Sequence, residues 1–63
     1  MPHATILVVD DESLVRWSLK ERLTSEGYDI LEAATAQEAI EQAAKGADLL
    51  LLGGNALFRM GAG

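Results

Sequence analysis

The sequence has 63 residues, with five Lys and Arg against ten Asp and Glu, a formal net charge of −5. That leaves room for one small domain and no clustered basic surface for nucleic acid. There is no cysteine, so neither a disulfide framework nor a thiolate metal site can supplement a thin core. No apolar run approaches the roughly 20 residues of a membrane span, and Met1 to Thr5 lacks the basic-then-apolar signal pattern. A soluble cytoplasmic protein of marginal stability, contacting neither membrane nor nucleic acid, is the expectation.

In chain order, Met1 to Thr5 is a short lead-in, and His3 beside Pro2 is assigned no role. Ile6-Leu7-Val8-Val9 is apolar without alternation, which reads as a parallel strand covered on both faces. It runs straight into Asp10-Asp11-Glu12. In an open α/β sheet the accessible crevice lies beyond the carboxyl ends of the strands, which is where Asp10 and Asp11 fall. Two adjacent carboxylates there repel unless a cation lies between them, and Mg²⁺ suits oxygen ligands while keeping positions for water and phosphate. Acids and Ser13 before a helical pattern are equally what a helix start calls for, so both readings stand open from these residues.

Ser13 to Glu26 reads as the first helix, with Val15, Leu19 and Leu23 as an inward stripe widened by Leu14 and Trp17. Glu12/Arg16 and Arg22/Glu26 are spaced for i,i+4 pairing. Gly27 supplies the left-handed residue that ends the helix. Trp17 is expected in the core or half-buried; Leu14, off the main stripe, is a candidate exposed docking residue. Tyr28 to Ala33 is a second strand of mixed polarity, as an edge strand should be. Thr35-Ala36-Gln37-Glu38 matches a capping box opening a second helix. Ala36, Ala39, Ile40 and Ala43 form its sheet-facing side, and Gly46 ends it. Leu49 to Leu52, after Asp48 and before Gly53-Gly54, is a third, central strand. The order is β-α-β-α-β, with connections long enough for right-handed helical crossovers between parallel strands. The Gly-rich remainder, 53–63, is read as a divergent, flexible tail after an α/β unit spanning 1–52.

Ile6-Leu7-Val8-Val9-Asp10-Asp11-Glu12, an Arg-bearing helix closing at Gly27-Tyr28, Glu32-Ala33 with Glu38-Ala39-Ile40, and Asp48-Leu49-Leu50-Leu51-Leu52 together resemble the first half of a response-regulator receiver domain. Val15-Arg16-Trp17-Ser18-Leu19 is most similar to receivers of NtrC-like transcription activators. The resemblance implies a flavodoxin/CheY-like parallel sheet in strand order 2-1-3 and a role in two-component phosphorelay signalling. It implies that Asp10 and Asp11 bind Mg²⁺, Asp11 directly and Asp10 through water or a second contact. It also implies that the first helix docks a sensor histidine kinase.

The family places its phosphoacceptor aspartate immediately after the third strand, where this chain has Gly53, and no Asp or Glu follows Asp48. Glycine offers no nucleophile, so phosphate acceptance is not expected. Phe58-Arg59-Met60-Gly61 only faintly echoes the family's Met-Pro segment, and its fourth and fifth strands have no counterpart. The expected third strand is then an exposed apolar edge, open to a second copy. The alternatives are an interaction module that docks a kinase or another receiver without phosphorylation, or a truncated product without function. An enzyme is not expected: a positioned base and an oxyanion donor set are missing, and no Gly-Lys-Ser/Thr follows Gly46 or Gly53-Gly54-Asn55 to make a P-loop.

Overall fold

The computed structural model describes residues 4–53 and 55–60, so His3, Gly54 and Gly61 lie outside the described residues. The elements are β1 (Thr5–Val9), α1 (Ser13–Ser25), β2 (Asp29–Ala33), α2 (Ala36–Ala43), β3 (Leu49–Leu52) and β4 (Ala56–Arg59). They form a four-stranded sheet in the order β2-β1-β3-β4. β1 pairs in parallel with β2 (Leu7 beside Leu31) and with β3 (Leu7 beside Leu50), giving the expected doubly wound 2-1-3 arrangement of a CheY-like α/β fold.

β1 reads as a strand buried on both faces, and it is. Ile6, Leu7 and Val8 are buried, joined only by Ala33 at the end of β2. Register assigns the faces. Arg16 and Lys20 of α1 both reach Glu32 at 3.5 Å, so Glu32 and its neighbours in register, Val8, Leu51 and Leu57, lie on the α1 side. Leu7, Leu31, Leu50 and Phe58 lie on the other side, which the right-handed crossover from β2 to β3 gives to α2.

The helix boundaries follow local chemistry. At the end of α1, Gly27 has φ 97°; its N–H donates to Thr24 O at 3.0 Å and the Tyr28 N–H to Leu23 O at 3.2 Å, a Schellman closure. The capping box also forms: Glu38 N donates to Thr35 Oγ1 at 3.1 Å. Glu38 Oε1 accepts from the Ala34 N–H at 2.7 Å, one residue before the amide such a box usually serves. A cap of this kind stabilises a helix by about 1 kcal/mol, which matters here because neither helix contains a fully buried residue.

Four expectations are corrected. The segment read as flexible tail contains β4, which turns back antiparallel on β3 with Leu50 beside Phe58 and Leu51 beside Leu57. The sheet is therefore mixed, and β3 is an inner strand; β4 is the open edge. Trp17 is exposed rather than half-buried, at 59%, and Leu14 does not widen the inward stripe, because of the apolar residues of α1 only Val15, Leu19 and Leu23 turn toward the sheet. Ile40 and Ala36 of α2 are likewise exposed, while Ala39 and Ala43 are half-buried. The reason is common to both helices: each lies over β1 and β2, and among the described residues neither packs on β3 or β4. Finally, neither Glu12/Arg16 nor Arg22/Glu26 forms an ion pair among the described residues; Arg16 turns inward to Glu32.

Candidate functional site

The site expected from sequence lies where the carboxyl ends of β1 and β3 meet. Val9 stands beside Leu52 in the parallel register, and the ladder continues one step past both strands: the Gly53 N–H donates to Val9 O at 2.9 Å. On the other side the Asp10 N–H donates to Ala33 O at 3.1 Å. Asp10 is thus tied to β2 through its amide, and Gly53 is tied to β1 through its own. Parallel strands ending together bring residues 43 positions apart into one crevice.

The Asp10 carboxylate is divided between two tasks. Oδ1 accepts from the Glu12 N–H at 2.8 Å, a local turn that leads the chain into α1. Oδ2 points toward Gly53: a Cβ placed on that glycine would lie 3.8 Å from it, an ordinary van der Waals distance. The helix-start reading is therefore realised by one oxygen, and the other remains directed at the crevice. Gly53 itself has φ 59°, a left-handed conformation in which a side chain is strained although there is space for one. Asp11 is fully on the exterior at the start of the bend.

Arg16 completes the surroundings, and its placement was not foreseen from the sequence. Its Nη1 donates to the Asp10 carbonyl at 2.6 Å while Nε lies 3.5 Å from Glu32 Oε1. The guanidinium thus ties the β1 end to β2 through α1, with its side chain largely shielded from solvent. The one available signal was a carboxylate, Glu32, inside a strand on a face that a helix must cover.

Chemically, the arrangement presents oxygen donors and little else. Asp10 Oδ2 and the exposed Asp11 carboxylate are the hard ligands a magnesium ion takes, with the remaining positions left for water. Among the described residues no three acidic or imidazole side chains converge, and no enclosed pocket forms. No nucleophile stands opposite Asp10, since Gly53 has none to give.

Part of the chain is similar to proteins named as transcriptional regulators. Over 41 residues the chain is 51% identical to the transcriptional regulatory protein YvrH of Bacillus subtilis, covering 64% of this chain and 17% of that protein. It is 49% identical over 39 residues to the transcriptional regulatory protein PdtaR of Mycobacterium tuberculosis, covering 60% and 19%. It is 45% identical over 40 residues to the probable transcriptional regulator ycf27 of Porphyridium aerugineum, covering 64% and 17%. The chain spans less than a fifth of the length of these relatives. No family model matches it, and no solved structure does. A short stretch similar to transcriptional regulatory proteins, set in a doubly wound α/β fold, supports a receiver-like region in this chain.

Proposed function

We propose that this chain is a receiver-like module of two-component signal transduction that does not accept phosphate. The observation that carries this reading is the pairing of Asp10 with Gly53 at the carboxyl ends of adjacent strands: the acidic half of a phosphotransfer site is in register with a residue that has no carboxylate. Asp10 and Asp11 would hold Mg²⁺ weakly, and the ion would supply positive charge that offsets the repulsion of adjacent carboxylates. Arg16 orients the chain at Asp10 by holding its carbonyl, which leaves Oδ2 facing the crevice. The in-line carboxylate nucleophile is absent from position 53, so the module is not an enzyme and does not store an aspartyl phosphate. A cytoplasmic location and kinship with NtrC-like receivers, from Val15 to Leu19, belong to the same reading. Incubation with a small-molecule phosphodonor and Mg²⁺ is expected to leave the intact mass unchanged. A covalent phosphoryl adduct would overturn the proposal.

A second role is favoured by one observation. Leu14, at 75% exposed, and Trp17 present an apolar stripe on the outer side of α1. An exposed leucine-tryptophan pair with nothing packed on it suits a helix-docking surface, and the module then engages a sensor histidine kinase without receiving its phosphate. Leu14→Glu is expected to weaken binding to a purified kinase dimerisation domain at least about tenfold, the effect of removing one apolar anchor. Equal binding by the variant would remove α1 from consideration.

A further inference from the structure

The most exposed apolar side chains of the sheet are on β4: Leu57 is 59% exposed and Phe58 50%. They point to opposite faces, so no single helix could cover both. A strand added alongside β4 could. The backbone of β4 is also unpaired on its outer side, since among the described residues no strand lies beyond it.

Which groups point outward follows from the hairpin bonds. The Met60 N–H donates to Asp48 O at 2.8 Å, and Asn55 N–H to Leu52 O at 3.1 Å. Alternation along an antiparallel ladder then directs the N–H and C=O of Leu57 and Arg59 away from β3, toward the free edge. On β3 the same alternation sends odd-numbered residues to β1, as the Gly53 N–H to Val9 O bond shows.

We propose that the occupant of this edge is a second copy of the chain, with β4 of each running antiparallel about a two-fold axis at Phe58. In that register Leu57 of one copy stands opposite Arg59 of the other, and the two exchange both their N–H···O bonds at either side of the axis. Every outward group of both strands is used. Phe58 faces Phe58 in the close, non-hydrogen-bonded position, an aromatic cross-strand pair. Leu57 is covered by the aliphatic stem of the opposing Arg59, whose charged end reaches solvent.

Charge selects this register over its neighbours. An axis at Arg59 sets two guanidinium groups against each other. An axis at Leu57 brings Arg59 to Asn55, whose N–H is already donated to Leu52. The opposite edge differs: β2 begins with the exposed Asp29, and its Glu32 is engaged by Arg16 and Lys20 of α1. β4 carries no acid. A two-fold contact of this type is closed, joining two sheets into one without leaving a new edge of the same kind.

The test uses the 63-residue chain prepared by chemical synthesis, with light scattering over a dilution series from millimolar to micromolar. A dimer that dissociates on dilution is expected. N-methylation of the Leu57 amide removes only an outward donor, on both copies, and is expected to raise the dissociation constant at least about tenfold while the far-ultraviolet circular dichroism is unchanged. A separate Phe58→Cys chain is expected to oxidise to a disulfide-linked dimer faster than a Leu57→Cys chain, because only position 58 meets itself on the axis. A monomer at every concentration would overturn the proposal. So would a dimer indifferent to the N-methyl group, or equal cross-linking at positions 57 and 58.

Discussion

Leu7→Ala is expected to leave the chain unfolded at 25 °C, read as loss of the circular dichroism signature and a Trp17 emission insensitive to denaturant. Leu7 is 1% exposed and, with Val8 at 0%, is one of the two largest side chains sealed in the core. Truncating such a leucine costs about 2–5 kcal/mol, transfer and cavity together. A single core in a chain of fewer than about 70–80 residues rarely supplies more than about 3–5 kcal/mol. The two ranges overlap, so one substitution consumes most or all of the margin. The effect is large because the burial is concentrated in β1: Ile6, Leu7 and Val8 supply every buried side chain except Ala33. Alanine at Leu14 offers the contrast, since a side chain exposed at 75% has little contact to lose. A cooperative, native-like unfolding transition in Leu7→Ala would show that β1 is not the core.

Gly53→Asp is expected to have the second-largest effect, and it runs in opposite directions with and without metal. The new Cβ finds space 3.8 Å from Asp10 Oδ2, so the added carboxylate falls beside the Asp10 carboxylate at the end of β1. Without a cation the new carboxylate and that of Asp10 repel, and φ 59° adds up to about 1–2 kcal/mol of left-handed strain. Aspartate is among the residues that tolerate this conformation best, which keeps the cost at the lower end. With Mg²⁺ the third oxygen ligand completes a donor set, and affinity is expected to rise roughly tenfold or more over the natural chain. Binding to the folded state then restores stability. The measurement is thermal unfolding with Mg²⁺ and with a chelator: the variant should melt below the natural chain in chelator and respond much more strongly to the ion. An Mg²⁺ response no greater than that of the natural chain would separate Asp10 from position 53.

Much of this architecture was legible because its signals are local. The unbroken apolar run of β1, the Thr35–Glu38 box and the glycine after α1 each specify an element boundary through chemistry within a few residues. The adjacency of Asp10 and Gly53 was legible for a different reason: parallel strands flanking one another must end in the same crevice. β4 was hidden although its turn was written in Gly53-Gly54-Asn55, since Ala56 to Arg59 is too short to declare a period of its own. The exposure of Trp17 and Ile40 was not legible at all. Periodicity tells which side of a helix is apolar, but cover depends on what the helix lies on, and neither helix reaches β3. Arg16 shows the same limit. Spacing offered it Glu12, four residues away, and the sheet offered it Glu32 and the carbonyl of Asp10.

The sheet order β2-β1-β3-β4 also governs the time at which this molecule can exist. β1, the more buried of the two inner strands, meets the neighbour on its second side, Leu49–Leu52, only after about forty intervening residues. The hairpin of β3 and β4 closes between residues a few positions apart and can form within microseconds. Joining it to β1 requires closing a loop of about 43 residues, the longest of any strand pairing in the sheet. On an emerging chain, Ile6, Leu7 and Val8 therefore remain without their full cover until Leu52 is available. The segment most dependent on burial is the one whose cover requires the longest loop to close.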